Sequence, residues 1–112
     1  MNNLDRLRAI AMAYPGAWED TPWGDVVWKV GKKVFLFTGP SGEGITVKPE
    51  PEEREALLAS GRATVAHYIG RYGWVSVDLT AKKQDWAEIT ELIDTTYRAV
   101  APKKLVRELD AR

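Results

Sequence analysis

Residues 26–37, VVWKVGKKVFLF, decide the fold that this sequence predicts. Apolar residues alternate with others around Lys29 and resume after a short Gly-Lys-Lys interruption, which is typical of two strands joined by a turn. The short interruption predicts a tight hairpin that turns at Gly31. A longer glycine-rich stretch at residues 39–44 leads into another apolar run at residues 45–48. We therefore predict three consecutive antiparallel strands.

Helical patterns flank this β-rich centre. Before it, apolar residues recur at helical spacing over residues 4–14. After it, a start rich in proline and glutamate at residues 49–53 predicts a second helix, and residues 74–79 alternate as a strand. Asp85 then begins a capping box and a helix of about four turns, and Pro102 begins a last short helix.

The order of these elements predicts the fold class. It is roughly α-β-β-β-α-β-α, with room for further short strands near Trp18 and residue 65. This order favours an α+β fold, a two-layer α/β sandwich whose antiparallel sheet carries its helices on one face. The opposite face of the sheet would then be partly exposed to water. Residues 1–112 suit a single domain.

The composition is that of a folded protein without an evident catalytic or metal centre. Hydrophobic residues make up 45% of the chain and charged residues 29%, which is unlike a disordered protein. There is no cysteine, and His67 is the one histidine, so the ligand cluster of a zinc or iron site is missing. A serine nucleophile held beside a histidine base is not indicated either. We predict that the protein is not an enzyme and binds neither a metal nor a cofactor.

The sequence also lacks the usual signals for membranes. Residues 1–6 are mostly polar or charged, where a signal peptide needs an apolar run. No uninterrupted apolar stretch approaches the ~20 residues that cross a bilayer. We therefore expect no membrane partner and a cytoplasmic location.

The charge balance limits any binding of nucleic acid to a local patch. Sixteen Lys and Arg face sixteen Asp and Glu, and the sequence pI is about 6.6. DNA-binding proteins usually carry a basic excess, because phosphate contacts supply most of the non-specific affinity. The candidate DNA-binding residues are Lys29, Lys32, Lys33, Lys48 and Arg71.

Two interpretations of these cations stay open. If hairpin tips act as wings, Lys32 and Lys33 would lie against backbone phosphates, and the loop at residues 39–44 would be the second wing. Glu43 in that loop opposes a phosphate, however. Alternatively, the lysines only keep the strand edges soluble.

An aromatic and polar surface is the second candidate site. In residues 74–79, Trp74, Ser76 and Asp78 alternate with apolar residues, so we expect them on the uncovered sheet face. With Trp23 in its Pro-Trp-Gly turn, they are candidates for contact with a protein partner or a small ligand. The competing interpretation is that tryptophans complete the core, which we expect for at least three of the five.

An ordered set of short motifs resembles the MmcQ/YjbR family. The motifs are EDTPWG at residues 19–24, VWKVGKKVF at 27–35, ITVK at 45–48, AHY followed by WVSV within 66–77, and Thr96-Tyr97 followed by Lys104-Leu105. No single motif is specific, but together they run from about residue 4 to residue 109. Thr96 stands where the family usually has serine.

The resemblance implies a fold and suggests a function. Members of the family have a two-layer α/β architecture similar to bacterial frataxin homologues and type III secretion chaperones. Their proposed role is DNA binding through a double-wing arrangement of hairpins. The resemblance thus makes DNA binding the leading hypothesis, and a chaperone-like or protein-interaction module on the open sheet face, or a small-ligand binder, the alternatives.

Overall fold

The computed structural model describes all residues from 1 to 112. Its helices and strands are, in chain order, α1 (Asn3–Ala11), β1 (Ala17–Asp20), β2 (Val26–Val30), β3 (Lys33–Thr38), β4 (Gly44–Val47), α2 (Pro51–Ala59), β5 (Ala63–Val65), β6 (Val75–Asp78), α3 (Trp86–Val100) and α4 (Lys103–Asp110). Short 3₁₀ turns lie at Pro22–Gly24 and Gly70–Tyr72. None of the helices is long and apolar enough to cross a membrane.

The six strands form one antiparallel sheet in the order β1-β2-β3-β4-β6-β5. The predicted three-stranded centre is β2 to β4, and the expected short strands near Trp18 and residue 65 are β1 and β5, the two edges. These edge strands have only four and three residues, too few for a clear alternation in the sequence. The α+β prediction is confirmed.

The β2–β3 hairpin has the tight turn that its sequence predicts. Val30 pairs with Lys33, so two residues form the loop, and Gly31 has φ +61°. A type II′ hairpin turn places glycine at this first central position. The register then shifts, because Trp28 pairs with Leu36 while Lys29 pairs with Val34. The extra residue of this bulge, Phe35, is fully buried.

All four helices contribute to one hydrophobic cluster on one face of the sheet. Its centre contains Leu7 of α1, Leu57 of α2, Trp28 of β2 and Tyr97 of α3, while Leu105 of α4 packs against it from outside. The two α/β layers of the predicted sandwich are therefore present, and the opposite sheet face carries no helix.

The tryptophans do not distribute as expected. Only Trp28 lies within the core, and Trp86 is partly buried against it. Trp18, Trp23 and Trp74 lie outside the core cluster, so the expectation of at least three core tryptophans is wrong. The uncovered sheet face and its loops have more aromatic surface than the sequence indicated.

A polar cluster joins α1 to the sheet on its helix-covered face. The Arg8 guanidinium donates two hydrogen bonds to the Glu19 carboxylate, of 2.8 and 3.1 Å. The indole Nε1 of Trp28 donates a third to Glu19, at 3.1 Å. These bonds, with that from Arg8 foremost, hold the pKa of Glu19 below its ordinary value. The acidic residue that begins the EDTPWG motif therefore has an internal, structural role.

The Thr96-Tyr97 motif also makes internal contacts. The Thr96 hydroxyl accepts a hydrogen bond from the backbone N–H of Lys48 at 2.8 Å and donates one to Leu92 O at 2.8 Å. The Tyr97 hydroxyl donates to Pro15 O at 2.7 Å. These bonds fix α3 against the end of β4 and the start of β1. Threonine supplies the hydroxyl that serine would supply at this position.

Candidate functional site

The uncovered sheet face presents a row of polar and aromatic side chains across four strands. The strand register pairs Phe37 with Thr46, Thr46 with Ser76 and Ser76 with Thr64. The hydroxyls of Thr46 and Ser76 lie 3.2 Å apart. Trp74 shares this face with Ser76, and its ring meets that of Phe37 edge-on, with centroids 5.6 Å apart.

An open depression of about 1060 Å³ lies on this face. Phe37, Thr46 and Ser76 contribute to its floor, and residues 39–44 and 66–69 contribute to its sides. We call it the sheet-face depression. It includes two of the predicted surface residues, Ser76 and Asp78, but neither Trp23 nor Trp74.

Three carboxylates without a cationic partner border the sheet-face depression. They belong to Asp25, Glu43 and Asp78, and none of them forms an ion pair. The one guanidinium in the lining, that of Arg62, is paired with Glu88 instead. The depression therefore carries an excess of negative charge.

Local hydrogen bonds keep two of these carboxylates ionised. The pKa of Glu43 is lowered by its own backbone N–H and by the Ser41 hydroxyl, 2.9 Å away. The pKa of Asp78 is lowered by the Thr80 hydroxyl and by the Thr80 backbone N–H at 2.8 Å. Both groups are thus negatively charged at neutral and at mildly acidic pH.

Two exposed aromatic residues have unusual backbone conformations: Tyr68 lines the depression, and Trp23 lies two residues before Asp25, which also lines it. Trp23, with φ +57°, and Tyr68, with φ +62°, are the two non-glycine residues with positive φ. Their exposed fractions are 100% and 86%. Such conformations cost of order 1–3 kcal/mol each. Burial within the chain offsets this cost for neither residue, since both rings are exposed. The Tyr68 ring does contact that of His67, with ring centroids 4.1 Å apart.

Sequence reasoning named Trp23 but missed Tyr68. Nothing local marks Tyr68, because left-handed conformations are expected at glycine and asparagine and not at tyrosine. Only the tertiary course of residues 66–69, which turn back over the sheet face, brings it to the depression.

The five predicted DNA-binding residues fall into two groups. Lys29 is half-buried, its ammonium lies 2.8 Å from Asp20 Oδ2, and it stands 5.0 Å from the ring centre of Trp18. Lys29 is therefore neutralised within the chain. Lys32, Lys33, Lys48 and Arg71 form no ion pair.

The two predicted wing tips do not meet. In three consecutive antiparallel strands, the first turn and the second turn lie at opposite ends of the middle strand. The six residues of β3 separate residues 31–32 from residues 39–44 by about 20 Å. The second loop lies against α1 instead, where Asn3 Nδ2 donates to Gly42 O at 3.1 Å. The two loops thus lie at opposite ends of β3, and their role as two wings stays a prediction.

The four unpaired cations share one end of the sheet. Lys32 lies in the turn before β3 and Lys33 begins that strand. Lys48 follows β4 and Arg71 precedes β6, and β3, β4 and β6 are neighbouring strands. The Lys48 side chain lies against Gly73: a side chain at position 73 would place its Cβ 3.7 Å from Lys48 Cε. We call Lys32, Lys33, Lys48 and Arg71 the basic end.

A smaller cavity of about 200 Å³ opens beside Lys48. Arg54 and Tyr72 also line it, together with one carboxylate, that of Glu50. Arg54 Nη1 reaches Glu55 at 3.3 Å, but Arg54 Nε is buried without a hydrogen-bond partner. Sequence reasoning missed Arg54, since it reads as part of the polar face of α2.

The structure offers no metal centre. No group of three or more histidine, cysteine, aspartate or glutamate side chains is placed to hold a metal ion. His67 is exposed and contacts only the Tyr68 ring among the aromatic residues. The charged groups form two surfaces instead, one basic and one acidic.

These features define a small α+β protein with helices on one face of its sheet and two charged surfaces. The YjbR family model matches residues 12–99, and the chain belongs to that family. The MmcQ/YjbR resemblance is thereby confirmed.

The fold is also similar to that of a solved structure. The crystal structure of Deinococcus radiodurans protein DR2400, which has the DUF419 domain, superposes with a TM-score of 0.79 at 22% sequence identity. The similarity covers 98% of this chain and 89% of that one, and it shows a shared fold. No curated protein matches the sequence.

Proposed function

We propose that this protein is a non-enzymatic DNA-binding protein that contacts duplex phosphates through the basic end. One observation carries the proposal: four cations reach the same end of the sheet, and none of them is paired with a carboxylate. The DNA-binding role that the MmcQ/YjbR resemblance implies supports the same function.

The spacing of the basic end suits a duplex backbone. The strands β3, β4 and β6 lie side by side, so their ends span about 10 Å. Over that length a B-DNA duplex carries about six phosphates. A protein with no net charge can therefore bind DNA locally, provided that its carboxylates lie elsewhere.

The cavity beside Lys48 offers a further phosphate contact. Arg54 Nε is a buried donor without a partner, and a buried donor of this kind gains when an anion or other acceptor reaches it. Lys48 and Tyr72 border the same cavity. A phosphate oxygen placed there would accept charge-assisted hydrogen bonds from Lys48 and Arg54, whereas the Glu50 carboxylate in the same lining opposes an anion.

Titration of labelled duplex DNA at several salt concentrations tests the proposal. If all four cations neutralise phosphates, log K should fall against log[salt] with a slope near −3.6, about −0.9 for each contact. The double variant Lys32→Ala/Lys33→Ala should flatten this slope by up to about two.

The variant Lys82→Ala/Lys83→Ala is the matched control. It removes two adjacent exposed lysines from the opposite end of the sheet, after β6, and should leave the slope unchanged. If wild-type protein binds no duplex at low salt, or if both double variants change the slope equally, the basic end is not a DNA site.

A further inference from the structure

The sheet-face depression is separate from the basic end and has the dimensions of a peptide groove. It crosses β3, β4, β6 and β5, about 14 Å from the first strand to the last. Four extended residues cover that distance at about 3.3 Å each. The depression is open along the sheet, whereas small-ligand pockets enclose most of the ligand surface.

The negative charge of the depression favours a ligand with positive charge. Asp25, Glu43 and Asp78 have no cationic partner in the chain, and Arg62 is neutralised by Glu88. A ligand that carries lysine or arginine would pair these carboxylates, whereas an acidic ligand would be repelled. The same excess of negative charge disfavours nucleic acid at this surface.

The aromatic residues supply anchoring surface around the charges. Phe37 forms part of the floor, and Tyr68 lines the depression with 86% of its surface exposed. Trp23 is fully exposed two residues before Asp25. Exposed aromatic side chains of this kind are enriched among the residues that dominate protein interfaces, and they also attract cations.

We propose that the sheet-face depression binds a short basic peptide segment of a partner protein. Lysine or arginine side chains of the peptide pair with Glu43 and Asp78, and an apolar neighbour packs on Tyr68 and Phe37. The hydroxyls of Thr46 and Ser76 on the floor hydrogen-bond to the peptide backbone.

A displayed library of random heptapeptides, selected on the wild-type protein, is the probe. Retained peptides should be enriched in lysine and arginine over aspartate and glutamate. For the best peptide, fluorescence anisotropy should show about tenfold weaker binding to Glu43→Gln/Asp78→Asn and to Tyr68→Gly. Glycine suits the positive φ at residue 68, so Tyr68→Gly should melt no lower than wild type, and lost binding would not reflect unfolding.

Two controls separate this site from general charge effects and from the DNA proposal. Glu52→Gln/Glu91→Gln removes two exposed carboxylates from the helices and should leave peptide affinity unchanged. Lys32→Ala/Lys33→Ala should also leave it unchanged, so each proposal can fail while the other stands.

Three outcomes would overturn the peptide site. The first is a selection without enrichment, or one that enriches acidic peptides. The second is equal affinity of the selected peptide for wild type and for both depression variants. The third is sedimentation showing a dimer that Tyr68→Gly dissociates, which would assign this face to a second copy of the chain.

Discussion

The two faces of the sheet carry similar polar residues that have different roles. On the helix-covered face, Glu19 is bound by Arg8 and by the indole of the fully buried Trp28. One residue further along β1, on the uncovered face, Asp20 pairs with the half-buried Lys29. The first set includes one fully buried donor, the Trp28 N–H, and a buried polar group left without its partner is costly. The second set is a partly exposed ion pair and contains no fully buried donor.

The comparison also explains where binding surfaces arise. Near the covered face, the hydroxyls of Thr96 and Tyr97 are both hydrogen-bonded within the chain. On the uncovered face, Asp25, Glu43 and Asp78 have no cationic partner. The two hydroxyls therefore hold the fold, whereas the three carboxylates have no counter-charge within the chain and are available to a cationic partner.

The largest expected effect on the free energy of unfolding comes from replacing a core tryptophan by alanine, with an exposed tryptophan as the comparison. Trp28→Ala should lower the free energy of unfolding by about 3–5 kcal/mol, because it leaves a large cavity in the core. Urea denaturation measures the change. Trp23→Ala should change stability by less than about 0.5 kcal/mol, since the indole is fully exposed. Equal losses in the two variants would contradict the assignment of the faces.

A smaller effect is expected from the Glu19 cluster, and it depends on pH. Glu19→Ala should cost about 1–3 kcal/mol at neutral pH, because the buried Trp28 N–H loses its acceptor. The pKa of Glu19 is lower in the folded chain than its ordinary value of 4.5, mainly through the hydrogen bond from Arg8. Its stabilisation is therefore present above about pH 4.5 and is lost as the pH falls through the folded-state pKa.

Unfolding curves at several pH values test the Glu19 prediction. The difference between wild type and Glu19→Gln should shrink as the solution is acidified below pH 4.5, because the wild-type carboxylate becomes neutral. A difference that does not change with pH would mean that the charge of Glu19 contributes nothing.

The hydroxyl of Thr96 should contribute to the free energy of unfolding about as much as Glu19 does, or slightly less. Thr96→Val keeps the shape of the side chain but leaves the backbone N–H of Lys48 without its acceptor, for a loss of about 1–2 kcal/mol. Thr96→Ser keeps the hydroxyl and should be closer to wild type. If serine destabilised more than valine, packing and not hydrogen bonding would govern this position.

The smallest effect is expected at Lys29. Lys29→Met should change the free energy of unfolding by less than about 1 kcal/mol, because its ion pair with Asp20 is partly exposed and screened by salt. It should also leave the salt slope of DNA binding unaltered, unlike Lys32→Ala/Lys33→Ala. If Lys29→Met flattened the slope of log K against log[salt], the Lys29 ammonium would be shown to leave Asp20 and pair with a phosphate.

The candidate sites were less predictable than the fold. Sequence reasoning placed Ser76 and Asp78 on the open face, because alternation along β6 assigns faces directly. It could not find Arg54 or Tyr68, whose relevance depends on neighbours that are distant in sequence. Sequence reasoning also could not predict that Asp20 on β1 neutralises Lys29 on β2, since that ion pair depends on the register of the two strands.

The sequence by itself determined the fold class, the hairpin at Gly31, the helix that Asp85 caps and the faces on which β6 side chains lie. These features follow from turn chemistry, capping and periodicity, which act over a few residues. Only the tertiary structure decided which cations stay unpaired and that the two hairpin tips lie apart. Such properties depend on contacts between distant residues, as with Tyr97 and Pro15, 82 positions apart. Local patterns carry no information about those contacts until the strands have an order and a register.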